Sequence, residues 1–188
     1  MVIFRSSDTV LILMSGVYYA LVHSYLRYGI SSWGFASASA IQPLISLVNR
    51  VVRIITFAPF GNIDVKSIFK YLDIPNVHDT IAMETGKFMF KKTKGLLPVT
   101  DIANHFNLKN ANRSQRYNLR SRGSNMATIE YSSSHGEKSI QNRGSKLWND
   151  LPHEIINSET LSIFKRKLKS HLLHDSLLVD DDDIYWYY

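Results

Sequence analysis

PLISLVNRVVRIITF, residues 43–57, is the stretch that decides the fold class. Leu44, Leu47, Val48, Val51 and Ile55 recur at the i, i+3, i+4, i+7 spacing that gathers apolar side chains on one face of an α-helix. Ser46, Asn49, Arg50 and Arg53 supply the polar face. The reading predicts a helix from about Gln42 or Pro43 to Phe57, with Pro43 in the first turn, where a missing amide is no loss. Pro59, Phe60 and Gly61 stop it.

Working outward, the helical pattern continues in both directions. Thr9 to Leu26 is apolar on every side, which predicts a central, buried core helix, and Asp8 stands where an N-cap carboxylate accepts from first-turn amides. Gly29 and Gly34 bracket a bend around Trp33. Downstream, a short helix is expected from Asp64 to Tyr71. A longer one follows from Val77 to Lys92, capped by Asn76, with Val77, Ile81 and Phe88 sharing a face. Lys91, Lys92 and Lys94 suit the negative pole of its dipole, and Leu96-Leu97-Pro98 closes the unit. Leu108 to Ser134 is polar and reads as irregular. Ser139 to Asn149 reads as helix, although Gly144 costs it ~1 kcal/mol of propensity, and Pro152 breaks it. The last helix, Thr160 to Leu173, puts Leu161, Phe164, Leu168 and Leu172 on one side. Lys165, Arg166, Lys167 and Lys169 lie on the other or at its border. No stretch alternates like a strand. The expected fold is all-α or mainly α: a helical bundle over 8–100, a basic polar linker over 101–135, a small helical unit over 136–176, and an acidic and aromatic tail over 177–188.

Composition narrows the function classes. Hydrophobic residues make up 45% of the chain and charged ones 20%, which is enough apolar surface for a packed core. The absence of cysteine excludes disulfide frameworks, thiolate zinc sites and cysteine nucleophiles. Val10 to Leu26 is shorter than the ~20 apolar residues of a bilayer span and contains His23 and Ser24. Arg5 is a poor basic n-region for a signal peptide, though Ala36 to Ala40 could pass for a cleavage site. No membrane is expected, and an intracellular setting, nucleus or cytoplasm, is favoured over a secreted one.

Charge distribution supplies the best binding candidate. Between Ile102 and Ile129 there is no acidic residue, while Lys109, Arg113, Arg116, Arg120 and Arg122 fall inside that window. Such a run suits phosphate backbones, and Tyr117 is placed among the arginines to stack on an unpaired base. Arg50 and Arg53, one helical turn apart, offer a second backbone contact. Other candidates read as structural. His171, His174 and Asp175 have a metal-like spacing but too few ligands for a structural zinc. The adjacent pair His23-Ser24 reads as packing and local hydrogen bonding, since neighbouring helix residues do not face one another. Trp148 reads as a core anchor. Asp180 to Asp183 is a solvated terminal run, and Asn112-Arg113-Ser114 is a glycosylation sequon relevant only to a secreted chain. No metal, cofactor or catalytic residue is expected.

Three stretches, taken together, resemble a known family. VYYALVHSYLRYGISSWG (17–34) followed by PLISLVNRVVRIITFAPF (43–60) is similar to the thumb region of jockey-type and related LINE reverse transcriptases of non-LTR retrotransposons. Tyr117-Asn118-Leu119-Arg120-Ser121 resembles their Y-N-T-R-S element, with Leu119 where Thr is usual. GEKSIQNRGSKLWNDLPHEIINSETLSIFKRKLKSHLL (136–173) resembles their terminal block, which ends in W-N-x-L-P and F-K-x-x-L-K. The resemblance covers most of Val10 to Leu173. It implies a thumb-like bundle over 8–100 from an RNA-directed DNA polymerase, with RNA or an RNA–DNA duplex as partner. It also implies palm and fingers upstream of Met1, against which the apolar Thr9–Leu26 helix would leave an exposed patch. The family's Y-x-D-D or F-x-D-D box, whose paired carboxylates hold the two metal ions, is absent here. The chain is therefore expected not to be an enzyme by itself. A stand-alone nucleic-acid-binding module is the alternative, and a protein anchored in a membrane through 10–26 the third.

Overall fold

Two apolar clusters organise the chain, and one helix serves both. The computed structural model describes residues 8–58, 64–97, 126 and 139–174. In order these form α1 (Asp8–Val17), a π-helical segment (Tyr18–His23), α2 (Ser24–Arg27), α3 (Ile30–Trp33), α4 (Ala38–Thr56), α5 (Val65–Tyr71) and α6 (Val77–Thr93). α7 (Ile140–Asp150), α8 (His153–Ile156) and α9 (Leu161–His174) complete them. No strand occurs among the described residues, and the fold is all-α as the periodicity predicts.

Helix ends follow from local chemistry. Asn76 and Asp79 form a reciprocal capping box at the start of α6: the Asp79 amide donates to Asn76 Oδ1 at 2.9 Å, and the Asn76 amide to Asp79 Oδ2 at 3.3 Å. α4, α5 and α6 all end in the same device, a left-handed residue after which an amide reaches back to the last full turn. Phe57 (φ 52°), Asp73 (φ 51°) and Gly95 (φ 66°) take the left-handed turn. The amides of Ala58, Ile74 and Leu96 then donate to the carbonyls of Arg53, Phe69 and Lys91 at 3.0, 3.0 and 2.8 Å. Only Gly95 adopts that conformation without steric cost.

The first cluster joins Tyr18 and Leu26 to Ile41, Val48, Val52 and Ile55 of α4, then to α5 and the first two turns of α6. The second packs Met89 and Phe90, from the other end of α6, on Trp148, on Ile155 and Ile156 of α8, and on Phe164 and Leu168 of α9. Phe164 stacks on Phe90 with centroids 4.5 Å apart and lies 6.1 Å from the Trp148 indole. Close helix approach favours glycine at several points, two of them between α6 and its partners α7 and α9. A Cβ at Gly86 would meet Leu168 Cδ2 at 2.7 Å, and one at Gly144 would meet Met89 Sδ at 2.9 Å. Gly144 therefore sits in a helix despite its propensity because α6 and α7 touch there.

The W-N-x-L-P sequence serves the second cluster. Trp148 and Leu151 are buried, and Pro152 stands at the entry to α8. Asn149 holds a distant piece of chain: its Oδ1 accepts from the Met126 amide at 2.8 Å, and its Nδ2 donates to the Met126 carbonyl at 3.0 Å. Met126, itself buried, thereby enters the second cluster from within the basic linker.

Three expectations need correction. The helix over Thr9–Leu26 is not buried: Leu11, Tyr18 and Leu26 face inward, but Ile12, Leu13, Val17, Leu21 and Tyr25 are exposed. Only one stripe of it meets the neighbouring helices. α4 begins at Ala38, so Pro43 lies inside it rather than in its first turn. Its fixed φ suits the helix, and the penalty is one missing amide. The earlier start brings Ile41 into the buried face with Val48, Val52 and Ile55, while Leu47, expected on that face, lies outside it at 60% exposure. The short helices α3 and α8 have no counterpart in the sequence reading. Each is four residues, too short for an apolar period to register.

Candidate nucleic-acid interface

Of the basic residues singled out in the sequence, the structure places two. Arg50 is exposed on α4; Arg53, three positions on, is half-buried and engaged by neighbours. They share the outer side of α4 with the exposed apolar side chains of Leu47 and Ile54, so this face is mixed rather than cationic. Lys109, Arg113, Arg116, Tyr117, Arg120 and Arg122 lie outside the described residues. So do the Asp180–Asp183 run, the sequon at 112–114, and the His174 and Asp175 side chains of the spacing that begins at His171. Among the described residues, no group of three or more His, Asp or Glu side chains is placed to hold a metal ion.

The structure assembles a polar cluster instead, where the first helix meets α6, α9 and the turn after α5. Glu84 of α6 takes Arg27 Nε at 2.6 Å and Lys87 Nζ at 2.7 Å on the same carboxylate oxygen. Burial pushes the Glu84 carboxyl up, but the bonds and charges of Lys87 and Arg27 outweigh it and hold it below the usual range. Burial likewise pulls the Lys87 ammonium down against the opposing pull of Glu84. Asp73, in the left-handed turn after α5, receives the Tyr19 hydroxyl on its backbone carbonyl at 3.1 Å and the Lys169 ammonium on its carboxylate. These contacts stitch the first helix, α5, α6 and α9 together.

His23 and Tyr18 sit beneath that seam. The rings of Tyr18 and Tyr19 meet edge to face at 5.7 Å, and Tyr19 meets His23 in the same way at 5.2 Å. Burial, and then the cations Arg27 and Lys87, lower the His23 pKa, which favours the neutral imidazole near pH 7. Burial and the neighbouring Tyr19 raise the Tyr18 phenol well above its ordinary value. Ser24 turns away and donates its hydroxyl to the Ala20 carbonyl at 2.5 Å. The His23-Ser24 pair thus has the packing and local bonding its sequence position suggests, and no base among the described residues is aimed at Ser24.

Sequence reasoning misses how the lysines converge. Lys87 and Lys91 on α6 and Lys165 and Lys169 on α9 belong, in the sequence, to the dipole ends and solvated borders of separate helices. α6 and α9 pack directly on one another, with Phe164 and Leu168 against Gly86 and Phe90, and this brings the two cationic runs side by side. The available signal is the lack of any Asp or Glu in 85–97 and in 160–174, which together hold eight Lys and Arg, four in each. No protein-family model, no curated protein and no solved structure matches this chain.

Proposed function

We propose that this chain is the thumb and post-thumb segment of a non-LTR retrotransposon reverse transcriptase. Its contribution is to hold RNA or an RNA–DNA duplex by the phosphate backbone, without nucleotide-transfer chemistry of its own. The observation that carries the reading is the order and spacing of the three motif stretches, at 17–60, 117–121 and 136–173. The all-helical fold is compatible with it. So is the structural use made of the motif residues, from Gly29 at its left-handed turn to Trp148 and Asn149 in the second cluster. A basic chain without a Y-x-D-D box retains the means to grip a polyanion and lacks the paired carboxylates that nucleotide addition requires.

The test is fluorescence anisotropy of a labelled RNA–DNA hybrid across ~50 to 200 mM salt, over which phosphate-dominated binding falls steeply. Neutralising Arg113, Arg116, Arg120 and Arg122 together should flatten that dependence by about 0.9 in log–log slope for each phosphate no longer neutralised. An isotherm indifferent to salt would remove the binding claim. Templated DNA synthesis by the purified chain would remove the other.

One observation favours a second reading. Thr9–Arg27 and Ala38–Thr56 each have the length and apolar composition of a membrane-crossing helix, and little of either is buried. Against it stand the bonds from Tyr19 and Arg27 to Asp73 and Glu84, which hold the first helix on the rest of the bundle. Retention in the pellet after alkaline carbonate extraction would support the membrane reading, and release would reject it.

A further inference from the structure

We infer that the principal phosphate-binding surface of the described fold is the ridge where α6 and α9 run side by side, with Lys91, Lys94 and Lys165 as its contact residues. The inference rests on the nucleic-acid reading above and assigns it a place on the molecule. α6 and α9 are antiparallel: Gly86 faces Leu168, and Phe90 stacks on Phe164 one turn further along α6 and one turn back along α9. Lys87 and Lys91 fall on one stripe of α6, at i and i+4, and Lys94, the capping residue just past the helix, continues it at i+7. Lys165 follows Phe164 by one residue as Lys91 follows Phe90, and in antiparallel helices whose Phe90 and Phe164 rings stack, this sets both lysines on the same side of the pair.

Among the described residues, two carboxylates beside this ridge are already engaged. Glu84 holds Lys87 together with Arg27, and Asp73 holds Lys169. Lys91 and Lys165 are exposed and have no ion pair among the described residues. Lys94 lies over the Phe90 ring at 5.6 Å, a contact that orients the ammonium, and it has no ion pair among the described residues. Successive positions on this stripe rise about 4.5–6 Å along the axis for steps of three and four residues. The result is a short row of positive charge on rigid, packed elements.

A phosphate backbone fits this ridge better than an anionic membrane. Helices that lie on bilayers insert an apolar face beside their lysines. Neither α6 nor α9 contributes an exposed large apolar side chain among the described residues; those belong mainly to the first helix and α4.

The experiment compares the full 188-residue chain with two variants on an RNA–DNA hybrid and, in parallel, on phosphatidylserine vesicles. The ridge variant is Lys91→Gln with Lys94→Gln and Lys165→Gln; the control is Lys66→Gln with Lys70→Gln on α5. All five side chains are exposed, and matching circular-dichroism melts verify the folds. The ridge variant should lose about 2.7 in log–log salt slope, and so bind about a hundredfold more weakly near 0.15 M salt, at ~0.9 per phosphate contact. The control should retain wild-type slope. Hybrid binding by wild type that survives unchanged in the ridge variant would overturn the assignment while leaving the nucleic-acid reading intact. No hybrid binding by wild type would overturn both. Vesicle flotation without hybrid binding, abolished in the ridge variant, would reassign the ridge to lipid. Each single Gln substitution should contribute about a third of the slope change, and a loss confined to one position would reduce the ridge to a point contact.

Discussion

Replacing Asn149 with alanine tests whether the W-N-x-L-P sequence is an architectural clamp. In the native fold its amide satisfies both backbone groups of Met126, a residue only 1% exposed, at 2.8 and 3.0 Å. Removing the side chain strands one donor and one acceptor in a closely packed region. A buried polar group without a partner costs roughly 1–3 kcal/mol, so after relaxation the pair should cost about 2–4 kcal/mol. Asn149→Asp is the graded control. Its ionised carboxylate still accepts from the Met126 amide but no longer donates to the carbonyl, so the loss should be smaller at neutral pH and shrink further once acid restores a donor. Urea denaturation followed by circular dichroism gives both numbers. The midpoint should shift while the slope with denaturant stays constant, because the surface exposed on unfolding is unchanged. A loss below about 0.5 kcal/mol for Asn149→Ala, the range of an ordinary surface substitution, would show that Met126 does not depend on this side chain.

Two further outcomes follow from the packing and the titrating groups. Phe164→Ala should destabilise by about 3–5 kcal/mol, since it empties the ring space between Phe90 and Trp148; Phe164→Leu, which keeps most of the volume, should cost less than half of that in the same urea titration. Asp79, buried at the α6 capping box, has its pKa raised from 3.8 to about 6 by burial, partly offset by the Asn76 amide. The folded form therefore holds more protons than the unfolded one between those values, and this group's contribution to stability falls as pH rises through about 4–6. Asp79→Asn lacks that loss. Its advantage over wild type should grow from nothing near pH 4 to roughly 3 kcal/mol above pH 6, and a constant difference across the range would count against a buried carboxyl. The histidines act oppositely. Burial lowers the pKa of both His23 and His78 below 6.5, so their contribution is complete above that pH and is lost on acidification.

Much of the fold is legible because long helices with one apolar face leave a period in the sequence. α5, α6, α7 and α9 begin and end within a residue or two of their predicted limits, and Asn76 caps α6 as its type and place suggest. What escapes has physical causes. The ends of α4 and α5 fall within a residue of where the sequence puts them, but how they turn escapes it, because Phe57 and Asp73 take the left-handed conformation and neither is glycine. The apolar Thr9–Leu26 stretch cannot reveal its own exposure, because hydrophobicity gives a preference for burial but not the supply of neighbours. Arg50 and Arg53 are readable as a helical pair, yet the convergence of Lys91 with Lys165 depends on which helices pack together, and this only the tertiary structure supplies. Trp148 is legible as an anchor, whereas the reach of Asn149 to Met126, twenty-three positions away, is not.

The π-helical turn at Tyr18–His23 has an evolutionary side. A turn of this kind carries one residue more than an α-turn, which is equivalent to a single inserted codon that the helix absorbed without breaking. Deleting one codon there, with relaxation to ordinary α-geometry, would remove the extra residue and leave the register of the turns on either side unchanged. Arg27 would keep its place opposite Glu84 and Leu26 its place in the first core, whereas the same deletion in the neighbouring α-turns would swing everything beyond it by about 100°. In this region, then, descendants of the gene should tolerate the loss of one residue within Tyr18–His23 far better than a loss beside it.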